Sequence, residues 1–294
     1  MNNSVRSTHV PRKYLARSVA AGAALTLALS VSACGGSAES SGTASCTPEH
    51  EFSTVNEGQL TVSTYEFPPH TMLKDSGLGG IEGELLTEIA KRECLTLVVD
   101  SAGGAAAAIP SVQTGRSDLA AGDWYRTQAR SQLVALSDPV YLDQGALVSI
   151  AGYQAISELD GKKIGSVVGN LWNDDLQKIF GDSFSVYQDP EAVFQDLASG
   201  RLDAVIDSVA ATTHRFESAP VDGAKIVPLK PDSRIAVTSR PGQLNWPTAK
   251  GNPGLTQALN DQIKKLREEG FIAETLKKYD LDESASNTGE PYLL

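Results

Sequence analysis

Apolar and polar positions along the chain alternate between two periods. Residues 60–63, Leu-Thr-Val-Ser, alternate as a half-buried strand does. Leu85, Leu86, Ile89 and Ala90 then recur at helical spacing and predict a core-facing helix. Thr96 to Val99 predicts a second buried strand. A run of small residues from Gly103 to Ala108 and a short helix over Ile109 to Gln113 follow it. Leu119-Ala120-Ala121 is a third apolar run, stopped by Gly122-Asp123. Strand, helix, strand, helix, strand predicts an α/β fold with a largely parallel sheet. Ligands of such sheets sit beyond the carboxyl ends of the strands, where Phe67, Asp123 and Arg130 fall.

Gly145 to Ser149 reads as a strand connecting to a second α/β unit, and Ile235-Ala236-Val237 leads back to the first. Pro253 opens a helix with Leu255, Leu259, Ile263 and Leu266 on one face, ending at Gly270. Residues 282–294 read as a polar tail of low order, and the Gly/Ser-rich residues 35–45 as a flexible tether. The Gly77-Leu78-Gly79-Gly80 run is not a dinucleotide loop, because Glu82 stands where the last glycine belongs.

Residues 118–141 concentrate candidate chemistry. Thr127 is placed to cap a helix that carries Arg130 in its first turn. Free backbone N–H groups, the positive helix end and a guanidinium then surround one small space suited to a planar carboxylate. The same residues also fit a plain turn whose arginine pairs with a structural acid.

Composition is that of a globular protein, 41% hydrophobic and 21% charged. Arg6, Arg12, Lys13 and Arg17 precede an apolar stretch from Val19 to Val31, interrupted by Thr26 and Ser30. That stretch is short for a stable span and has the form of a signal peptide. Without residues 1–33, 21 basic residues face 36 acidic ones, a net charge of −15. A nucleic-acid binder carries the opposite sign. His9, His50, His70 and His214 have no metal-ligand spacing, so neither a metal site nor a cofactor is expected.

Two resemblances sharpen this reading. Val31-Ser32-Ala33-Cys34 resembles the lipobox of bacterial lipoproteins, which implies a diacylated Cys34 as the mature N-terminus. Cys46 and Cys94 then remain as a pair in an oxidising compartment, where exported chains seldom keep free thiols. Their bridge would close a loop of about 48 residues and stabilise by roughly 3–4 kcal/mol.

The second resemblance covers residues 58–281. Gly115-Arg116-Ser117-Asp118, Thr127-Gln128-Ala129-Arg130 and Ser137-Asp138-Pro139-Val140-Tyr141 resemble the family 3 extracellular solute-binding proteins, the polar amino-acid receptors of ABC importers. The Gly80-Ile81-Glu82-Gly83-Glu84 run is a near match to the signature that opens a helix in this family. Phe271 to Tyr279 is similar to the family's last helix. The resemblance implies that Arg130 binds a ligand α-carboxylate. Tyr125 replaces the usual Ser or Thr, so it offers its N–H while its phenol points elsewhere. Phe67 matches the ring that stacks on the ligand side chain, with Glu66 beside it.

Lys162 to Asn170 resembles the strand and loop of the second lobe, and Asn170 is placed to cap a helix beginning near Leu171. Its Gly165 to Gly169 reads G-S-V-V-G, so it is not a nucleophile elbow. Residues 191–207 match text in which an Asp five positions after Asp203 would bind the α-amino group. Here Asp207 stands at plus four and Ser208 at plus five, and the carboxylate suits a cation better. Trp124 adds an aromatic face, and Asp123 and Glu66 add negative charge near Arg130. Together they favour a ligand with a cationic or polar nitrogenous end.

The fold so implied is a type II periplasmic-binding-protein fold: two α/β lobes, each a mostly parallel sheet flanked by helices, joined by a two-stranded hinge. Its expected boundaries are a signal peptide at 1–33 and a lipidated Cys with flexible tether at 34–56. Lobe I spans 57–147 plus 235–281, lobe II 148–234, and a tail 282–294. The implied function is a monomeric receptor, lipid-anchored at the outer face of the cell membrane. It would bind a small carboxylate-bearing ligand between its lobes and deliver it to an ABC permease driven by its ATPase. No bond is made or broken. Two rivals share the reading: a cyclohexadienyl or arogenate dehydratase-like enzyme on the same fold, with Glu66 or Asp123 as acid or base, and an accessory that presents ligand to a membrane sensor.

Overall fold

The computed structural model describes residues 46–101 and 103–294. The expected signal peptide, Cys34 and residues 34–45 of the tether lie outside the described residues.

Two five-stranded sheets organise the chain. In the first, strands run Thr96–Asp100, Gln59–Ser63, Leu119–Ala120, Pro247–Thr248, Ala135–Leu136 across the sheet. Gln59–Ser63 pairs in parallel with both neighbours, Thr61 opposite Val98 and Val62 opposite Leu119. Pro247–Thr248 joins antiparallel, Thr248 opposite both Leu119 and Ala135. In the second sheet the order is Phe184–Tyr187, Ile164–Val167, Ala204–Ser208, Gly145–Ser149, Lys225–Pro228. The first three are mutually parallel, whereas Gly145–Ser149 runs antiparallel to both its neighbours.

Each sheet is therefore less parallel than the strand-helix alternation predicts. The reason lies in the crossings. Gly145–Ser149 enters from the other lobe, and Pro247–Thr248 returns to its own, so each meets its sheet from the opposite direction. Between the sheets Leu142–Asp143 pairs antiparallel with Gly242–Gln243, and this ribbon is the two-stranded hinge. The expected lobe boundary at 147/148 falls inside Gly145–Ser149, all of which pairs in the second sheet. Each lobe has its own core. Leu85, Leu86, Ile89, Leu259 and Trp246 pack under the first sheet; Val193, Phe194 and Leu197 line one face of the second.

Local chemistry explains most departures from the sequence reading. Helix covers Gly104–Gln113 rather than starting at Ile109, because its four alanines are the strongest helix formers. Thr96–Asp100 is a half-exposed edge strand, not a buried one. The helix Gly80–Arg92 buries the predicted face and also Glu82.

Two segments expected to be loose are tied down. Residues 46–56, assigned to the tether, are held by the Cys46–Cys94 disulfide, with Cα atoms 5.7 Å apart. His50 Nδ1 lies 2.7 Å from Glu93, and the Val55 N–H donates to Asp118 at 2.7 Å. The tail is equally fixed. Gln243, on the hinge, donates through Nε2 to the carbonyls of Thr288 and Glu290, both at 2.9 Å. Its Oε1 accepts the Tyr292 N–H at 2.8 Å, and the Arg240 guanidinium covers the Tyr292 ring. Polar composition suggested disorder, but backbone hydrogen bonds to a buried glutamine order these residues. Among the described residues no helix is long and apolar enough to cross a membrane.

Candidate functional site

A cleft of about 670 Å³ opens between the sheets. Tyr65, Glu66, Phe67, Asp123, Trp124, Tyr125 and Arg130 line one wall; Val167 to Trp172, Gln188 and Pro190 line the other. Seven of the nine predicted ligand residues therefore meet in one space: all except Asp207 and Ser208.

Arg130 is positioned as the sequence predicts. Thr127 Oγ1 accepts the Arg130 N–H at 3.1 Å and caps the helix Gln128–Leu133. The guanidinium donates to the Tyr125 carbonyl at 2.7 Å and lies 4.6 Å from the centre of the Trp124 ring. Burial lowers its pKa, and Asp123 opposes that shift, so Arg130 stays a cation. The chain end clasps the same loop: Leu294 N–H donates to Arg126 O, and Gln128 N–H to Leu294 O, both at 2.9 Å.

Tyr125 faces Leu244 across an antiparallel bridge whose hydrogen bonds flank it, from Arg126 N–H to Gln243 O and from Asn245 N–H to Trp124 O. The backbone groups of a residue in such a pair point away from the partner strand. The Tyr125 carbonyl thus reaches Arg130, and its N–H is directed to the same side. Its phenol turns away, donating to Asp143 at 3.1 Å.

Glu82 shapes this wall, and its role was missed at the level of sequence. Its buried carboxylate accepts the N–H groups of Gly122 at 3.1 Å and Asp123 at 2.7 Å, and Trp246 Nε1–H at 3.0 Å. Gly122 and Asp123 both have positive φ, +125° and +60°. A Cβ at Gly122 would press to 2.6 Å from the Tyr65 ring, so glycine is required there. The signal for Glu82 was its place in the Gly80-Ile81-Glu82 signature. Tyr65 was also missed; it stacks on Phe67 at 5.9 Å and donates to Gly122 O at 2.7 Å.

Asp123 faces the cleft with a carboxyl oxygen that has no hydrogen-bond partner among the described residues. Burial, then Asp143 and Glu82, push its pKa well above the carboxylate range, while Arg130 pulls it down. Trp124 Nε1 is likewise buried and unpaired. Glu66 sits at the rim, its carboxylate accepting the Leu73 N–H at 2.6 Å.

On the opposite wall Asn170 does not cap a helix. The next helix begins at Asn173 with no side-chain cap, because the intervening residues form a turn. The Asn170 amide instead donates to Ser166 and to Asp207, both at 3.3 Å. Asp207 lies just behind it, also accepting the Ser208 N–H at 2.9 Å. Ser208 is occupied as the cap of the helix Val209–Ser218, accepting the Ala211 N–H at 3.1 Å.

Burial pushes the Asp207 pKa up to about 6, against hydrogen bonds from Ser208 N–H and Asn170, with Asp143 adding to the rise. The folded chain keeps a proton there between about 3.9, the unfolded value, and about 6. Stability from this group is therefore lost as pH rises through that window. Asp123, Asp143 and Glu82 act in the same direction. The ligand-free protein should melt at a lower temperature at pH 7 than at pH 5. Asp207→Asn should shrink that difference, and an unchanged difference would place the titration elsewhere.

The sheet order, the hinge ribbon and the cleft define a two-lobed periplasmic-binding-protein fold. The model of the bacterial extracellular solute-binding proteins, family 3, matches residues 60–282. The chain belongs to that family. It is 24% identical over 265 residues to the "Probable histidine-binding protein" of Neisseria gonorrhoeae, covering 86% of this chain and 91% of that one. It is 26% identical over 185 residues to the lysine/arginine/ornithine-binding periplasmic protein of Escherichia coli, covering 59% and 68%. Among solved structures, an ancestral arginine-binding protein bound to arginine superposes with a TM-score of 0.64 at 25% identity, over 76% of this chain and 98% of that one.

Proposed function

We propose that the protein is an extracytoplasmic receptor that captures an amino acid or related nitrogenous solute between its lobes and delivers it to an ABC importer. The observation that carries this reading is the placement of the Arg130 guanidinium beside the outward-directed Tyr125 N–H on one wall of the cleft. A planar carboxylate accepts from both. On the other lobe Asn170 lines the cleft with Asp207 behind it, and closure brings the ammonium end to this pair, while Phe67, Tyr65 and Trp124 enclose the side chain. A ligand so held touches both lobes, which favours the closed hinge by population shift. Asp123 beside the aromatic rings favours a cationic side chain. The binding of histidine or basic amino acids by the relatives supports that preference. The Cys34 lipid anchor, the monomeric state and docking on a permease with its ATPase belong to the same proposal.

A thermal-shift screen tests it. Ligand at 100 times its Kd stabilises by about 2.7 kcal/mol. Basic amino acids should raise the melting temperature, while acetate and simple alkylamines, which carry one end each, should not. If no amino acid shifts the melt at millimolar concentration, the proposal fails.

A further inference from the structure

Beneath the cleft floor lies a grouping of which only Asp123 takes part in the amino-acid site. His70 is fully buried, stacked between the Phe67 ring at 5.2 Å and the Tyr141 ring at 5.9 Å. Its Nδ1 is 2.7 Å from the Tyr141 hydroxyl. Its Nε2 has no hydrogen-bond partner among the described residues and points toward Asp143 Oδ2, 3.9 Å away. At that distance the two atoms share no hydrogen bond. A buried oxygen of Asp123 is also unpaired. One donor atom each from His70, Asp123 and Asp143 lies within 4.8 Å of the others.

We propose that His70 Nε2, Asp123 and Asp143 form a binding site for a divalent first-row transition metal, zinc being the best fit. The three groups offer one imidazole nitrogen and two carboxyl oxygens, and a divalent ion that displaces the carboxyl protons leaves the buried site neutral, which a monovalent ammonium does not. An imidazole nitrogen selects zinc over calcium or magnesium, which prefer oxygen alone. The contact to Tyr141 holds the ring orientation, as second partners of metal-bound histidines do. Donors on one tetrahedral zinc sit about 3.4 Å apart, so the three must close by roughly an ångström. Asp123, the member that faces the cleft, gives the ion its access, while Asp143 already accepts the Tyr125 phenol at 3.1 Å together with Ser208 and the Gln144 and Ala210 N–H groups, so an ion must take the place of some of these donors. Because Asp123 also borders the amino-acid cleft, a bound ion and a cationic ligand end compete for its carboxylate.

A second grouping, Glu49, His50 and Glu93, is the control. There His50 Nδ1 is already engaged by Glu93 at 2.7 Å, and Glu49 pairs with Lys265. No unpaired nitrogen awaits an ion.

The test strips the purified protein with a chelator, then titrates zinc chloride against a chromophoric competitor, with metal content read by mass spectrometry. One zinc per chain is expected, and zinc alone should raise the melting temperature. His70→Phe keeps a ring in the stack but removes Nε2; Asp143→Asn and Asp123→Asn each remove a charge. Each variant should weaken zinc by at least the roughly 10- to 100-fold that losing a mere outer partner of a metal ligand costs. His50→Ala should bind as the parent does. The cleft-facing Asp123→Asn decides the matter if His70→Phe fails to fold. No zinc uptake by the parent, or uptake lost in His50→Ala and kept in Asp123→Asn, overturns the proposal. Metal is read without any amino acid present, so this result is separate from the fate of the receptor reading.

Discussion

Arg130→Lys is expected to weaken binding of the cognate amino acid nearly as much as Arg130→Ala, by about ten- to several-hundred-fold. Charge alone does not hold the ligand: two parallel N–H donors do, and an ammonium cannot reproduce them. A hydrogen bond to a charged group contributes roughly 1.5–3 kcal/mol, so losing one or two accounts for the range. The guanidinium also steadies the Tyr125 carbonyl at 2.7 Å, and both substitutions release it. Apo stability should change little, because Arg130 is only half-buried and its ring contact with Trp124 is worth about 0.5–1 kcal/mol. Calorimetric titration beside apo thermal melts decides. Unchanged affinity with a lowered apo melting point would make Arg130 scaffolding and remove the centre of the functional proposal.

Glu82→Ala is expected to be the most damaging single change to folding. It strands three donors at once: the N–H groups of Gly122 and Asp123 and the Trp246 indole N–H. Each unsatisfied buried donor costs about 1–3 kcal/mol, and loss of one partner from a buried charged network costs about 3–5 kcal/mol. For a body of this size that corresponds to a melting point roughly 10 °C lower. Affinity should fall as well, since Asp123, Trp124 and Tyr125 follow directly in the chain. Glu82→Gln keeps one acceptor oxygen and should lose less than half as much. A Glu82→Ala melt within about 2 °C of the parent would mean the positive-φ turn at Gly122-Asp123 needs no anchor.

The Arg130 wall was legible because its parts are neighbours in the chain. Thr127, three residues before Arg130, is a helix cap in any fold, and the apolar run ending at Gly122 is a strand entering a loop. The opposite wall was legible only in outline. Asn170 looked like a cap because caps are read from local order, yet its amide serves Asp207, 37 residues away. The choice between Asp207 and Ser208 followed the same rule. A one-residue shift in the strand end decides which side chain lies behind the cleft and which caps the helix.

Sequence by itself determined the elements whose forces are short-range: the Gly80–Arg92 helix face, the Gln59–Ser63 strand, the Thr127 cap and the Cys46–Cys94 pair. Period, cap chemistry and thiol number act within a few residues or need no geometry. Tertiary structure decided what depends on distant partners. Residues 282–294 read as a loose polar tail, yet the Gln243 amide on the hinge orders Thr288, Glu290 and Tyr292. Glu82 is an acid on a helix until Gly122, Asp123 and Trp246 close around it. His70, Asp123 and Asp143 show no metal spacing along the chain, because 53 and 20 residues separate them. Burial brings their donor atoms within 4.8 Å of one another and removes the water that would have satisfied each alone.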